Sequence, residues 1–241
     1  MVRDGSGRSR AAFAAPHIVF ADARLEEALT GALKAIFANA GQVCSAGSRL
    51  LVQQDIHDDF VQRLAQQAKQ LRLGAGLDDS DIGPLVSEEQ QQRVLHYLEI
   101  GRAEGAQVVA GGGPATEGRL KEGFFVKPTL FDKVEGHMRI AQEEIFGPVL
   151  AILPFRDVDE ALALANGVSY GLVAAIWTRD IGKAHRLASR LKAGQIFINN
   201  YFAGGVSTPF GGYKKSGFGR EKGLEALLSY TQVKNVCVTL D

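Results

Sequence analysis

Between Arg24 and Ala38 the apolar residues Leu25, Ala28, Leu29, Ala32, Leu33, Ile36 and Phe37 recur at helical spacing, which puts them on one face of a helix. Short apolar runs flank it: His17 to Phe20, bounded by Pro16 and Asp22, and Arg49 to Val52, both reading as strands. A second helix runs to about Leu71 with Phe60, Leu64, Ala68 and Leu71 inward, capped by Asp55 or Asp58. Ser87 and Gln90 supply the S-x-x-Q of a capping box ahead of a third helix carrying Val94, Leu95 and Leu98. Strands are expected at 107–110, along the extended runs of 124–134 around Pro128, and at 149–154, 172–177 and 195–198. Asp157 or Asp159 starts one further helix, to Ala165, and Asp180 caps another, to Leu191. A glycine-rich loop, 199–219, leads to a helix at 221–228 and a terminal extended run at 233–240 able to pair at a sheet edge. Strands separated by helices in this way define an α/β layered domain with a largely parallel sheet.

Composition narrows the class. Of 241 residues, 46% are hydrophobic and 22% charged, a globular balance sufficient for one sizeable core or two small ones. Acidic and basic residues number 27 each, so no net field gathers nucleic acid or an anionic membrane, and neither is expected as a partner. The longest apolar runs, 149–155 and 172–177, are too short to span a bilayer, and 11–15 is too short for a signal core; the chain reads as cytoplasmic.

Candidate chemistry concentrates at Cys44, a thiol on a small-residue loop between a helix and a strand. Taken alone it reads equally as a packing residue or a nucleophile. Cys237, inside Val236-Cys237-Val238, reads as a small buried hydrophobe, and an intracellular chain of this size needs no disulfide between the two. Gly111-Gly112-Gly113 lacks the lysine and spacing of a phosphate loop, and Gly217 to Gly223 departs from a dinucleotide fingerprint by one residue. The five histidines stand apart without a second ligand at metal spacing, so no metal site is expected.

Three stretches, in order, resemble the NAD(P)-dependent aldehyde dehydrogenase superfamily. Phe37 to Ser48 (Phe-Ala-Asn-Ala-Gly-Gln-Val-Cys-Ser-Ala-Gly-Ser) is similar to its active-site cysteine segment. Gln142 to Val149 (Gln-Glu-Glu-Ile-Phe-Gly-Pro-Val) resembles its cofactor-contacting segment, and Pro209 to Glu221 (Pro-Phe-Gly-Gly-Tyr-Lys-Lys-Ser-Gly-Phe-Gly-Arg-Glu) its C-terminal loop. The resemblance covers residues 16 to 241 and implies a three-layer αβα catalytic domain with a largely parallel sheet and a C-terminal extended strand. Residues 16–220 would form that catalytic domain and 221–241 a helix and oligomerisation strand, preceded by an atypical, disordered segment, 1–15.

The same resemblance implies the chemistry. Cys44 would attack an aldehyde to give a thiohemiacetal, with its own N–H as an oxyanion donor, before hydride transfer to NAD or NADP and hydrolysis of a thioester. Glu144 would accept the nicotinamide-side ribose hydroxyls and Phe146 would pack beside the ring. Gln90 matches a cofactor-contacting position while also completing the capping box. Asn199, Tyr201 and Phe202 would lie by the substrate funnel. Arg49, the nearest cation in sequence, reads as an activator of the thiol or as a surface charge.

Two departures temper this. The family carries a dinucleotide-binding domain ahead of this point, and before the first strand it has a Glu-Leu-Gly-Gly-Lys-Ser segment whose glutamate is the general base. Here Arg8 to Ala15 read Arg-Ser-Arg-Ala-Ala-Phe-Ala-Ala, without a carboxylate. Impaired cofactor binding and weak or absent turnover are therefore expected. The alternative is a non-catalytic remnant retaining only folding or assembly into a homo-oligomer through the terminal strand.

Overall fold

Strands and helices alternate in the computed structural model, which describes residues 15–241. The expectation for segment 1–15 therefore falls, apart from Ala15, outside the described residues. β1 (Pro16–Val19), α1 (Leu25–Phe37), β2 (Arg49–Gln53), α2 (His57–Gln70), α3 (Glu88–Ala103), β3 (Gln107–Ala110) and β4 (Thr129–Asp132) make up the first part. Then come α4 (Arg139–Gln142), β5 (Val149–Phe155), α5 (Val158–Asn166), β6 (Tyr170–Gly171), β7 (Val173–Trp177), α6 (Ile181–Arg190), β8 (Gln195–Ile198) and β9 (Tyr213–Lys214).

Seven strands form one sheet in the order β3-β4-β5-β2-β1-β7-β8. Every neighbouring pair is parallel except β3 with β4, so the sheet is the mostly parallel one expected. The central strands β1 and β7 are buried at every residue, which is why they read as continuous apolar runs and not as alternation. Register separates the two faces. His17, Val19 and Trp177 share one face, where the Trp177 ring lies against Gly31 of α1. Arg49 pairs with Pro16 and so points to the other, where its Nη2 donates to the Leu164 carbonyl of α5 at 2.8 Å. Helices on both faces give three layers.

The caps explain where helices begin. Asp157 and Asp180 accept from the N–H groups of Glu160 and Lys183, and Ser87 Oγ accepts from Gln90 N–H. For α2 neither expected aspartate caps. A short turn at Gln54–Ile56 leads straight into the helix, Asp55 accepts from Gln53, and Asp58 is engaged with His57. The acidic first turn still suits the positive end of the helix dipole.

The C-terminal part differs from expectation. The segment 221–228 forms no α-helix; a 3₁₀ run occupies Leu224–Tyr230, with Leu224, Leu227 and Leu228 exposed. Residues 231–241 adopt no regular element and pair with no strand among the described residues. A short segment that finds no surface for its apolar side gains too little packing to hold a helix or a ladder. Among the described residues no helix is long and apolar enough to cross a membrane.

Candidate active site

The loop bearing the thiol is shaped by a reversal at the end of α1. Asn39, Ala40 and Gly41 all take left-handed backbone, with φ of 51°, 54° and 72°. Asn39 stabilises the turn by donating from Nδ2 to the Gln42 carbonyl at 3.0 Å, while Gln42 N–H returns a bond to the Asn39 carbonyl at 3.0 Å. Gly41 is required twice over: besides its φ, a Cβ there would stand 2.1 Å from the Gly147 carbonyl oxygen. The cysteine loop and the segment 144–148 therefore meet backbone to backbone.

From the other side the loop is anchored by Tyr201, whose Oη donates to the Ser45 carbonyl at 2.9 Å in a buried setting. Its ring stacks on His17, which lies in turn on Trp177, with centroids 5.3 and 5.7 Å apart. Burial drives the His17 pKa down to about 3, so this stack is neutral.

Cys44 is exposed and free, as is Cys237. Cys237 is exposed and not buried as expected, because the terminal run is covered by no element among the described residues. The surrounding protein desolvates the Cys44 sulfur enough to raise its pKa; the N–H groups of Cys44 and Ser45 oppose this, and the carboxylates of Glu144 and Glu221 add to it. The resting thiol is therefore protonated near neutral pH. The charges that act on it most are negative. Arg49 is fully buried rather than a surface charge, and burial lowers its pKa to about 10.

Glu144 and Phe146 lie on the segment that Gly41 contacts, and a narrow cleft is lined by Gly41, Val43, Ser48, Glu144, Phe146 and Gly147. Phe146 is itself left-handed, with φ of 61°. Gln90 reaches this segment but as a brace: its Nε2 donates to the carbonyls of Ile145 at 3.0 Å and Phe146 at 2.8 Å. Only one arm of the capping box forms, because those long-range carbonyls take the side chain. Asn199 is turned to Thr178, bonding its N–H and carbonyl at 3.0 and 2.9 Å, and Tyr201 supports the cysteine loop from beneath. Phe202 packs edge-on against Tyr201.

The sequence did not single out Glu221, whose carboxylate acts on Cys44. An antiparallel bridge, Phe210 N–H to Glu221 carbonyl at 2.7 Å and Glu221 N–H to Phe210 carbonyl at 2.8 Å, folds the glycine-rich loop back on itself. That leaves the Glu221 carboxylate within electrostatic reach of Cys44. Its place at the end of the third motif was the available signal. No cluster of metal-ligating side chains occurs among the described residues.

A thiol-bearing loop thus rests against a left-handed acidic segment, on a mostly parallel sheet layered by helices. A sequence model of the aldehyde dehydrogenase family matches residues 14–236, and the chain belongs to that family. It is 49% identical over 227 residues to the putative aldehyde dehydrogenase DhaS of Bacillus subtilis, covering 94% of this chain and 45% of that protein. The betaine aldehyde dehydrogenase of the same organism is 48% identical over 222 residues, again with 92% of this chain and 45% of the relative covered. Among solved structures, the NAD+ complex of an aldehyde dehydrogenase from Bacillus cereus superposes with a TM-score of 0.89 at 48% identity, over 94% of this chain and 46% of that one. A betaine aldehyde dehydrogenase from Staphylococcus aureus in complex with NAD+ gives 0.88 at 44% identity, over 90% and 43%. The chain spans about 45% of the length of the curated relatives it matches.

Proposed function

We propose that this chain carries the nucleophile and the nicotinamide end of the cofactor site of an aldehyde dehydrogenase, with Cys44 attacking an aldehyde and NAD+ as acceptor. The observation that carries the reading is the contact of Gly41 with Gly147, which sets the thiol loop directly against the segment of Glu144 and Phe146. Those residues fit one end of a dinucleotide: a carboxylate for a ribose diol and a half-buried aromatic face for a planar ring. The bound cofactor would supply a hydride acceptor. The chain's own residues do the rest. Cys44, once deprotonated, adds to the carbonyl carbon, and its own N–H would serve as a donor to the thiohemiacetal oxygen. Loss of hydride leaves a thioester at Cys44, which water must cleave. That last step is slow in our reading, because Arg8 to Ala15 hold no carboxylate.

Intact mass of the chain after incubation with p-nitrophenyl acetate, and with aldehyde plus NAD+, tests this. An acyl adduct that accumulates on the parent and is absent from Cys44→Ser supports it; an unmodified parent refutes it. A second reading, assembly of copies of the chain, is favoured by the exposed row Leu224, Leu227, Leu228, Tyr230, Val233 and Val236. Residues 16–220 would then be the catalytic unit and 221–241 the associating segment. Light scattering that returns a strict monomer at high concentration excludes that reading.

A further inference from the structure

Helix α3 presents Gln90, Arg93 and Tyr97 to the segment 143–147, and each holds a different part of it. Gln90 takes the carbonyls of Ile145 and Phe146. Arg93 Nη2 donates to the Glu144 carbonyl at 2.6 Å. Tyr97 Oη donates to Glu143 Oε2 at 2.7 Å, a carboxylate that Arg139 also holds through two bonds of 2.9 Å. Between them Val94 closes the space at Gly147, where a Cβ would lie 2.4 Å from Val94 Cγ2. One helix thus grips consecutive residues, and it does so mainly through carbonyls, so the shape of the segment is imposed from α3.

This matters because the segment does not rest in an ordinary conformation. Phe146, with φ of 61°, turns the chain sharply just after Glu144. A left-handed phenylalanine persists only where its surroundings fix it. The guanidinium of Arg93 is itself steadied over the Tyr97 ring, 5.3 Å from the centroid.

We propose that Arg93 is a positioning residue: by holding the Glu144 carbonyl, beside the two carbonyls held by Gln90, it fixes where the Glu144 carboxylate and the Phe146 ring stand relative to Cys44. The functional reading above enters only in what Glu144 and Phe146 would contact; the positioning is a property of the chain itself.

The test uses the full chain and the variants Arg93→Met and Arg93→Lys. Arg93 is exposed, so far-UV circular dichroism should match the parent for both. Three readouts follow: hydrogen exchange of a peptide spanning 139–150, the pH profile of Cys44 alkylation by iodoacetamide, and NAD+ titration. In Arg93→Met, exchange should quicken about tenfold, as expected for loss of one charge-assisted bond. The alkylation profile should move to lower pH, because a Glu144 carboxylate displaced with its backbone raises the thiol pKa less. NAD+ binding should weaken about tenfold. Arg93→Lys, which keeps a donor, should restore most of each. Loss of a cation without movement would shift the profile upward, so an upward or unchanged profile overturns the proposal, as does unchanged exchange. If the parent itself binds no NAD+, the cofactor reading fails, and exchange and alkylation still decide the role of Arg93.

Discussion

Replacing Gly41 by alanine strikes the one contact on which the site is built. The added methyl would sit 2.1 Å from the Gly147 oxygen, 2.4 Å from its carbonyl carbon and 3.0 Å from Pro148 N, so it falls about 0.9 Å inside the 3.0 Å that real Cβ atoms respect. Every atom it meets is backbone, and no side chain can rotate away. Alanine must also hold φ near 72°, which costs about 1–2 kcal/mol for a residue with a Cβ. Forcing the two segments apart in a packed region costs about 1–3 kcal/mol more. The loss should therefore be about 2–5 kcal/mol, a large part of the 5–15 kcal/mol typical of a domain. Urea unfolding of parent and variant measures it from the midpoint at constant m value. Gly76→Ala is the control, since nothing lies within 4 Å of a Cβ there and it should change stability by no more than about 0.5 kcal/mol. A loss below about 1 kcal/mol in Gly41→Ala would mean that the thiol loop does not rest on Gly147, and the proposed site would lose its support.

Three further outcomes follow from the charges and bonds around the site. Glu221→Gln should move the alkylation profile of Cys44 to lower pH, because that carboxylate raises the thiol pKa; an unmoved profile would remove Glu221 from the site. His57 has a pKa raised above 6.5, chiefly by its bond to Asp132, so its contribution to stability is complete below pH 6.5 and lost as pH rises through the folded value. Asp132, which burial would raise but the His57 bond holds below 3.8, contributes above pH 3.8 and loses that as pH falls through its folded value. The urea midpoint should accordingly fall between pH 6 and 8 more in the parent than in His57→Gln; parallel curves would refute it. Tyr201→Phe leaves the buried Ser45 carbonyl without its 2.9 Å donor and should cost about 1–3 kcal/mol in the same unfolding assay, whereas an unchanged midpoint would show that this bond does not anchor the loop.

The readable parts of this fold are those decided within one turn of the chain. Asp157, Asp180 and Ser87 announce their helices because a cap needs only a side-chain oxygen and an N–H three residues on. The buried runs of β1, β5 and β7 announce a parallel sheet because helices cover both faces. What escaped the sequence is set by partners far along the chain. In sequence Gln90 reads as a local cap or a cofactor-contacting residue, yet its donors go to carbonyls 55 and 56 residues away. Arg49 offers in sequence only a cation beside a thiol loop, and strand register turns it to the opposite face, under α5.

The same distinction governs the site. Cys44, Glu144 and Phe146 could be named from motifs, since each motif keeps its residue types at short spacing. That their segments meet depends on Gly41 and Gly147, which carry no chemistry and act only by lacking a side chain. Glu221 reaches the thiol only because the Phe210 bridge closes a glycine-rich loop, and Arg93 acts on a carbonyl, a group that every residue possesses. A carbonyl acceptor leaves no mark in composition or spacing, so a positioning role of this kind is legible only once the backbone is traced. Where burial raises a thiol's pKa and acids from two distant segments add to it, the motifs identify the residues, but the size and sign of the effect follow from how the loops are held.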